Sequence, residues 1–256
     1  MIYEEADERS NVGVFLERGA LYATAEEFAN VKEACDRLYP GEFVEVEKPS
    51  DAPAGTVNGW ARKIALSPML YDEVNLIEDD VLSAAVDEVI MSLPICELQK
   101  PSSSSGKYHP IADTLEWGNL NHIKNVVAIA NTLCDCRPGV DRDVVIAAAI
   151  LHDAVKYAEL DSEHTDKEHP EHTAIYVKTI FDWWSSAKKS DRDKLAEVVR
   201  CIDTHSGQFD KRWRDDEILK AKKLKRMSKE AWIVHEADML AAQRWFNRVE
   251  DDRCKQ

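Results

Sequence analysis

Six residues of this chain are of the types that bind divalent cations: His122, the adjacent His152 and Asp153, His172, His205 and Asp238. They recur at intervals that leave room for a helix or helical hairpin between each and the next, so all six can converge on one end of a bundle. Mixed imidazole and carboxylate ligands suit Mn2+, Fe2+, Co2+, Ni2+ or Zn2+ rather than Ca2+, with one or two ions per chain. Such a set can bind one or two ions that activate water, a chemistry suited to bonds that resist neutral water, phosphate esters among them. A bound divalent ion lowers the pKa of water from 15.7 to about 7, and two ions about 3.5–4 Å apart hold both attacking and leaving oxygens. Asp153 is the natural bridge, because a carboxylate offers two oxygens where the neighbouring imidazole offers one free nitrogen. Lys156 follows three residues later on the same helical side and is placed to offset charge on a phosphoryl group. Asp153 and Lys156 are therefore the catalytic candidates.

The elements that must position these groups are helices. From Val144 an apolar run leads straight into His152 and Asp153, so a buried helix, capped by Asp141 and extending to about Tyr157, ends in the pair. Burying an unpaired carboxylate against that run would be costly, which favours ligation. Residues 121–134 form a second helix with Val126, Val127, Ala130 and Leu133 on one stripe and His122 at its start. A polar loop spans Thr165 to Glu171, and His172 opens a helix reaching Trp183 and Trp184. His164 and His169 fall in this polar region and read as solvated. Ser190–Thr204 leads to His205, and Ser228 caps a last helix that carries Asp238 on an otherwise apolar face. His235, one turn earlier, reads as packing or as support for a ligand.

Upstream, PSSSSG at 101–106 leads into Lys107, Tyr108 and His109. It reads either as a linker or as an entry lip, in which case Lys107 and His109 join Lys156 as candidate substrate contacts. Residues 211–229 are strongly basic around Trp213. That stretch is either a solvated face or a cleft wall that attracts a polyphosphate or single-stranded nucleic acid, with the Trp stacking a base.

The first part of the chain has a different character. Most of the net charge of −15 lies within residues 1–100, whereas all eight histidines lie at or beyond position 109. Val12 to Ala23 suggests a hairpin about Glu17-Arg18-Gly19, Thr24 caps a helix ending near Pro40, and residues 41–48 alternate as a third strand. The Pro- and Gly-bearing segment 48–59 reads as a linker. The expected organisation is a small α+β unit with linker at 1–58 and a helical domain at 59–256 that carries the candidate metal ligands. Nothing resembles a signal peptide or a membrane span, and the six scattered cysteines read as reduced thiols, so a cytoplasmic protein with no membrane partner is expected. An oligomer is compatible with the sequence. No P-loop, GxGxxG, serine elbow or HExxH is present.

The pattern H…HD…D, with an apolar helix running into LHDAVKY, resembles the HD-domain superfamily of metal-dependent phosphohydrolases. His122, His152, Asp153 and Asp238 match its four defining ligands, and His172 and His205 stand where the further histidines of two-metal branches fall. The lead-in SSSGKYHP is similar to that of a subgroup of phage and bacterial HD hydrolases and 3′ to 5′ exoribonucleases. The chain lacks the GYP signature of cyclic di-GMP phosphodiesterases and has Val155 where many members have Gly. The resemblance implies a mainly α fold, an HD-domain helical bundle with the α+β unit as an appendage. It also implies an enzyme that cleaves a phosphoester bond of a nucleotide or short oligonucleotide. The alternatives are a 3′ to 5′ exonuclease on single-stranded RNA or DNA, and a non-catalytic nucleotide-sensing HD domain.

Overall fold

The computed structural model describes residues 14–17, 20–24, 43–46, 56–62, 67–104, 106, 109–157, 162, 164–184 and 187–243. The chain divides into two units, Met1–Leu66 and Ser67–Gln256.

The first unit contains an antiparallel sheet of β1 (Val14–Glu17), β2 (Ala20–Thr24), β3 (Phe43–Val46) and β4 (Thr56–Arg62). The expected hairpin and third strand are present, β1 pairing Glu17 with Ala20 of β2. The strand order is β1-β2-β4-β3. The stretch 48–59 is therefore not a linker throughout: from Thr56 it is β4, which pairs with both β2 and β3. The boundary accordingly falls after Leu66 rather than after residue 58. A strand carrying Asn58 and Gly59 has weak intrinsic strand preference, and pairing on both sides overrides it. The helix expected after Thr24 lies outside the described residues.

The second unit is helical: α1 (Tyr71–Val74), α2 (Asp80–Ser92), α3 (Ile95–Gln99), α4 (Gly118–Asp135), α5 (Arg142–Leu151), α6 (His169–Phe181), α7 (Lys189–Thr204), α8 (Glu217–Lys225) and α9 (Lys229–Ala241). This is the expected mainly α bundle. Its centre is α5, in which every residue from Val144 to Leu151 is buried. A helix apolar on all sides must be surrounded, and α2, α4, α7 and α9 pack around it. Asp141 caps it through Val144 N, and Ser228 caps α9 through Ala231 N at 3.1 Å, as their types demand.

Helix α5 stops earlier than its composition implies. It ends at Leu151, and His152 becomes its C-cap instead of lying within a helix that runs to Tyr157. The turn that follows leaves backbone groups needing partners, and other elements supply them. Asp153 O accepts from Asn119 Nδ2 of α4 at 3.0 Å, and Val155 N and O both meet Thr173 Oγ1 of α6. The amides of Lys156 and Tyr157 donate to Glu97 Oε2 of α3. Three helices thus hold the His-Asp turn rigidly against the end of the central helix.

The segment read as a linker, 101–106, takes part in this framework. Ser102 is buried, its amide donates to Asp113 O at 2.7 Å, and its hydroxyl meets Lys156 Nζ at 2.9 Å. Lys107 lies outside the described residues.

Candidate metal centre

His122, His152, Asp153, His169, His205 and Asp238 meet at one place. His152 Nε2 lies 3.2 Å and His122 Nε2 3.8 Å from Asp153 Oδ2, and His122 Nε2 is 3.0 Å from Asp238 Oδ1. On the other oxygen of the same carboxylate, Oδ1, His169 Nε2 sits at 3.1 Å and His205 Nε2 at 3.7 Å. Asp153 therefore divides the cluster into two candidate ligand sets that share it. One is His122, His152 and Asp153 with Asp238 alongside; the other is Asp153, His169 and His205.

The rings are aimed by local structure. In three of the four histidines, Nδ1 pairs with the carbonyl three residues earlier: His152 with Ala149 O at 2.8 Å, His169 with Asp166 O at 2.7 Å, His205 with Ile202 O at 2.7 Å. An N–H at Nδ1 donating to a carbonyl leaves the Nε2 lone pair free and inward. The device suits His152 and His205, the C-caps of α5 and α7, because carbonyls of a last helical turn have acceptor capacity to spare; Ile202 O takes the His205 amide as well as its ring.

Two features fit a cation. His152 Nε2 and Asp153 Oδ1 are buried without a hydrogen-bond partner, and the Nε2 atoms of His169 and His205 face each other at 3.1 Å. With both Nδ1 atoms engaged by carbonyls, two lone pairs converge, which a metal relieves and another neutral group does not. The donor set of imidazoles and carboxylates is the one that divalent transition ions prefer.

The charges agree. Burial would raise the pKa of Asp153, but the charges of His152 and Lys156 and hydrogen bonds outweigh it and hold the carboxyl well below its usual range. Asp238 is likewise held down, its burial overcome by His122, His152 and His205. Burial and the neighbouring imidazoles push His205 down to about 3, so it is a neutral donor at physiological pH. Burial opposes the charge on His122 as well, yet Asp113 and Asp238 overcome it and push its pKa up to about 9. A metal at Nε2 must displace that proton, so uptake releases a proton and weakens as pH falls.

Against the sequence reading, one ligand moves. His172 is not in the cluster: it is exposed on α6 and pairs through Nδ1 with Asp166 Oδ2. His169, read as a solvated loop residue, takes that place. The helix begins at His169, with Pro170 in its first turn, rather than at His172. Pro170 was the available signal, since proline favours the first helical turn. Moving the start by one turn moves the imidazole that faces the centre.

Other candidates change character. Lys156 is buried with its ammonium against Asp153 Oδ2 and Ser102 Oγ, so it holds the Asp153 carboxylate instead of reaching out to a phosphate. His109 faces Asp113 at 3.6 Å and stands edge-on to His122, with ring centroids 5.2 Å apart. Trp213 is buried, donates to Gly207 O at 2.9 Å and is covered by Arg212 and Lys223, so its ring is not free to stack a base. His235 supports the site: its Nδ1 meets His205 O at 2.6 Å. Gly207, at φ +52°, lies so close that an added Cβ would sit 2.5 Å from the His235 ring.

Glu97, which spacing alone did not reveal, carries a pH signature. Burial pushes its carboxyl up to about 7 from 4.5, against the lowering effect of the Lys156 and Tyr157 amides. The folded state then binds this proton more tightly than the unfolded one. The contribution to stability is full below pH 4.5 and is lost as pH rises through about 7, a change of about 3 kcal/mol. Glu97→Gln is expected to remove that slope. Urea unfolding of both proteins at pH 5 and pH 7.5 tests it, and equal pH dependence would contradict the assignment.

A helical bundle whose central helix ends in a buried His-Asp pair, with further His and Asp ligands from the surrounding helices, defines an HD-type domain. Residues 119–243 match the family model of the HD domain, a finding consistent with the HD-domain superfamily of metal-dependent phosphohydrolases. No curated protein and no solved structure is significantly similar to the chain. Among the described residues, no helix is long and apolar enough to cross a membrane.

Proposed function

We propose that this chain hydrolyses a phosphoester bond of a nucleotide or short oligonucleotide, using two divalent ions. The observation that carries the reading is the division of one carboxylate, Asp153, between two imidazole sets. Ions held there would act as Lewis acids on the phosphoryl group and make water a competent nucleophile at neutral pH.

The chain's own residues would do the rest. His122, His152 and Asp238 would hold one ion, His169 and His205 the other, and Asp153 both. Lys156 would keep Asp153 ionised and fixed in place, and the carbonyls of Ala149, Asp166 and Ile202 would keep three imidazoles in the ligating tautomer. Lys107 and His109, on the segment leading to the site, remain the proposed outer contacts for the substrate's phosphate.

A second reading, a 3′ to 5′ exonuclease on a single strand, is favoured by one observation. Helix α8 has no buried residue, and Lys222, Lys225 and Arg226 have no acidic partner among the described residues. Binding that weakens steeply with salt and stepwise shortening of RNA or DNA would support this reading over mononucleotide hydrolysis.

The test is metal analysis of the purified protein, then a panel of nucleotide monoesters, diesters and short oligonucleotides with Mn2+, Co2+ or Mg2+. Metal-dependent release of phosphate or mononucleotide is expected. Bound metal with no turnover across the panel would favour the non-catalytic sensing domain.

A further inference from the structure

Of the four histidines in the cluster, His122 alone has no backbone carbonyl on Nδ1. It lies inside α4, where the preceding carbonyls serve the helix, and is fully buried. What faces its Nδ1 is a carboxylate from outside the matched domain: Asp113 Oδ2, at 3.4 Å.

That carboxylate is itself built into place. It is fully buried, and its other oxygen accepts from Asn121 Nδ2 at 2.7 Å. Its carbonyl takes the Ser102 amide at 2.7 Å. Gly118 approaches the same carbonyl so closely that a Cβ would come within 2.2 Å of it. Asp113 Oδ2 and His122 Nδ1 are otherwise without hydrogen-bond partners, and so is His109 Nδ1, 3.6 Å from the same oxygen. The carboxylate faces two imidazoles, His109 and His122, which with it form a ligand-type group of their own, and of the two His122 is the one that also reaches the Asp153 cluster.

We propose that Asp113 is a positioning residue of the metal centre, accepting the Nδ1 proton of His122 so that Nε2 is the nitrogen presented to the ion. This rests on the ligand role given to His122 above. A carboxylate behind a ligating imidazole fixes its tautomer and strengthens it as a donor. An amide in the same place can turn its NH2 toward the ring and enforce the wrong tautomer while leaving the geometry intact.

The experiment compares wild type with Asp113→Asn by calorimetric titration with Mn2+, and by long-range 1H–15N correlation of the Zn2+-loaded proteins. In wild type the His122 ring is expected to carry its proton on Nδ1 and the ion on Nε2. Asp113→Asn is expected to lose about 10- to 100-fold in Mn2+ affinity.

Equal Mn2+ affinity in folded Asp113→Asn would overturn the proposal, as would a wild-type His122 bound to Zn2+ through Nδ1. The wild-type spectrum decides the matter even if Asp113→Asn fails to fold. If the tautomer and affinity loss are seen while no phosphoester is cleaved, this proposal stands and the hydrolytic one falls. A wild type that takes up neither ion overturns both.

Discussion

Asp153→Ala is expected to abolish metal retention and lower phosphoester turnover by at least about three decades, the kinetic equivalent of losing several kcal/mol of charge stabilisation. The size follows from position: Asp153 is the one residue in both ligand sets, with Oδ2 beside His152 and His122 and Oδ1 beside His169 and His205. Its removal also leaves the Lys156 ammonium buried without its anionic partner, which costs several kcal/mol of stability. Asp153→Asn preserves the shape and separates the two effects. Metal content by mass spectrometry, turnover and thermal unfolding are measured on both variants. Hydrolysis unchanged in either folded variant would remove the basis of the proposed function.

The second large effect separates two histidines three residues apart. His169→Ala is expected to reduce bound metal from two ions to one and lower turnover by about two to three decades. His172→Ala should cost about tenfold or less. Among the described residues, His172 is linked to the site through Asp166, whose side chain it meets and whose carbonyl holds His169 Nδ1. Loss of an outer-shell partner costs about 10- to 100-fold at most, and this one lies a further step removed. Metal stoichiometry together with rates decides between them; the opposite ranking would restore His172 as the ligand.

These two residues show where reading the chain succeeds and where it stops. The apolar helix before His152 and Asp153 was legible because a helix apolar on every side must be central, and its cap at Asp141 was legible because capping is local. His122, Asp238 and His205 could be named from type and spacing, and the structure brings them to the His-Asp pair. The hairpin and third strand of the first unit were legible from alternation and turn residues. Strand β4 was not, because its Gly and Asn look like loop and only its two neighbours make it a strand.

The sequence by itself determined a mainly helical bundle around one buried helix, a His/Asp set able to bind divalent metal, and where in the chain that set lies. Tertiary structure alone decided that His169 and not His172 faces the centre, that Lys156 points inward to Asp153, and that Glu97 and Asp113 stand behind the site. The reason is range. Periodicity and caps act over one or two turns and are written in neighbouring residues, whereas the direction of a side chain at a helix end depends on how distant helices pack against it.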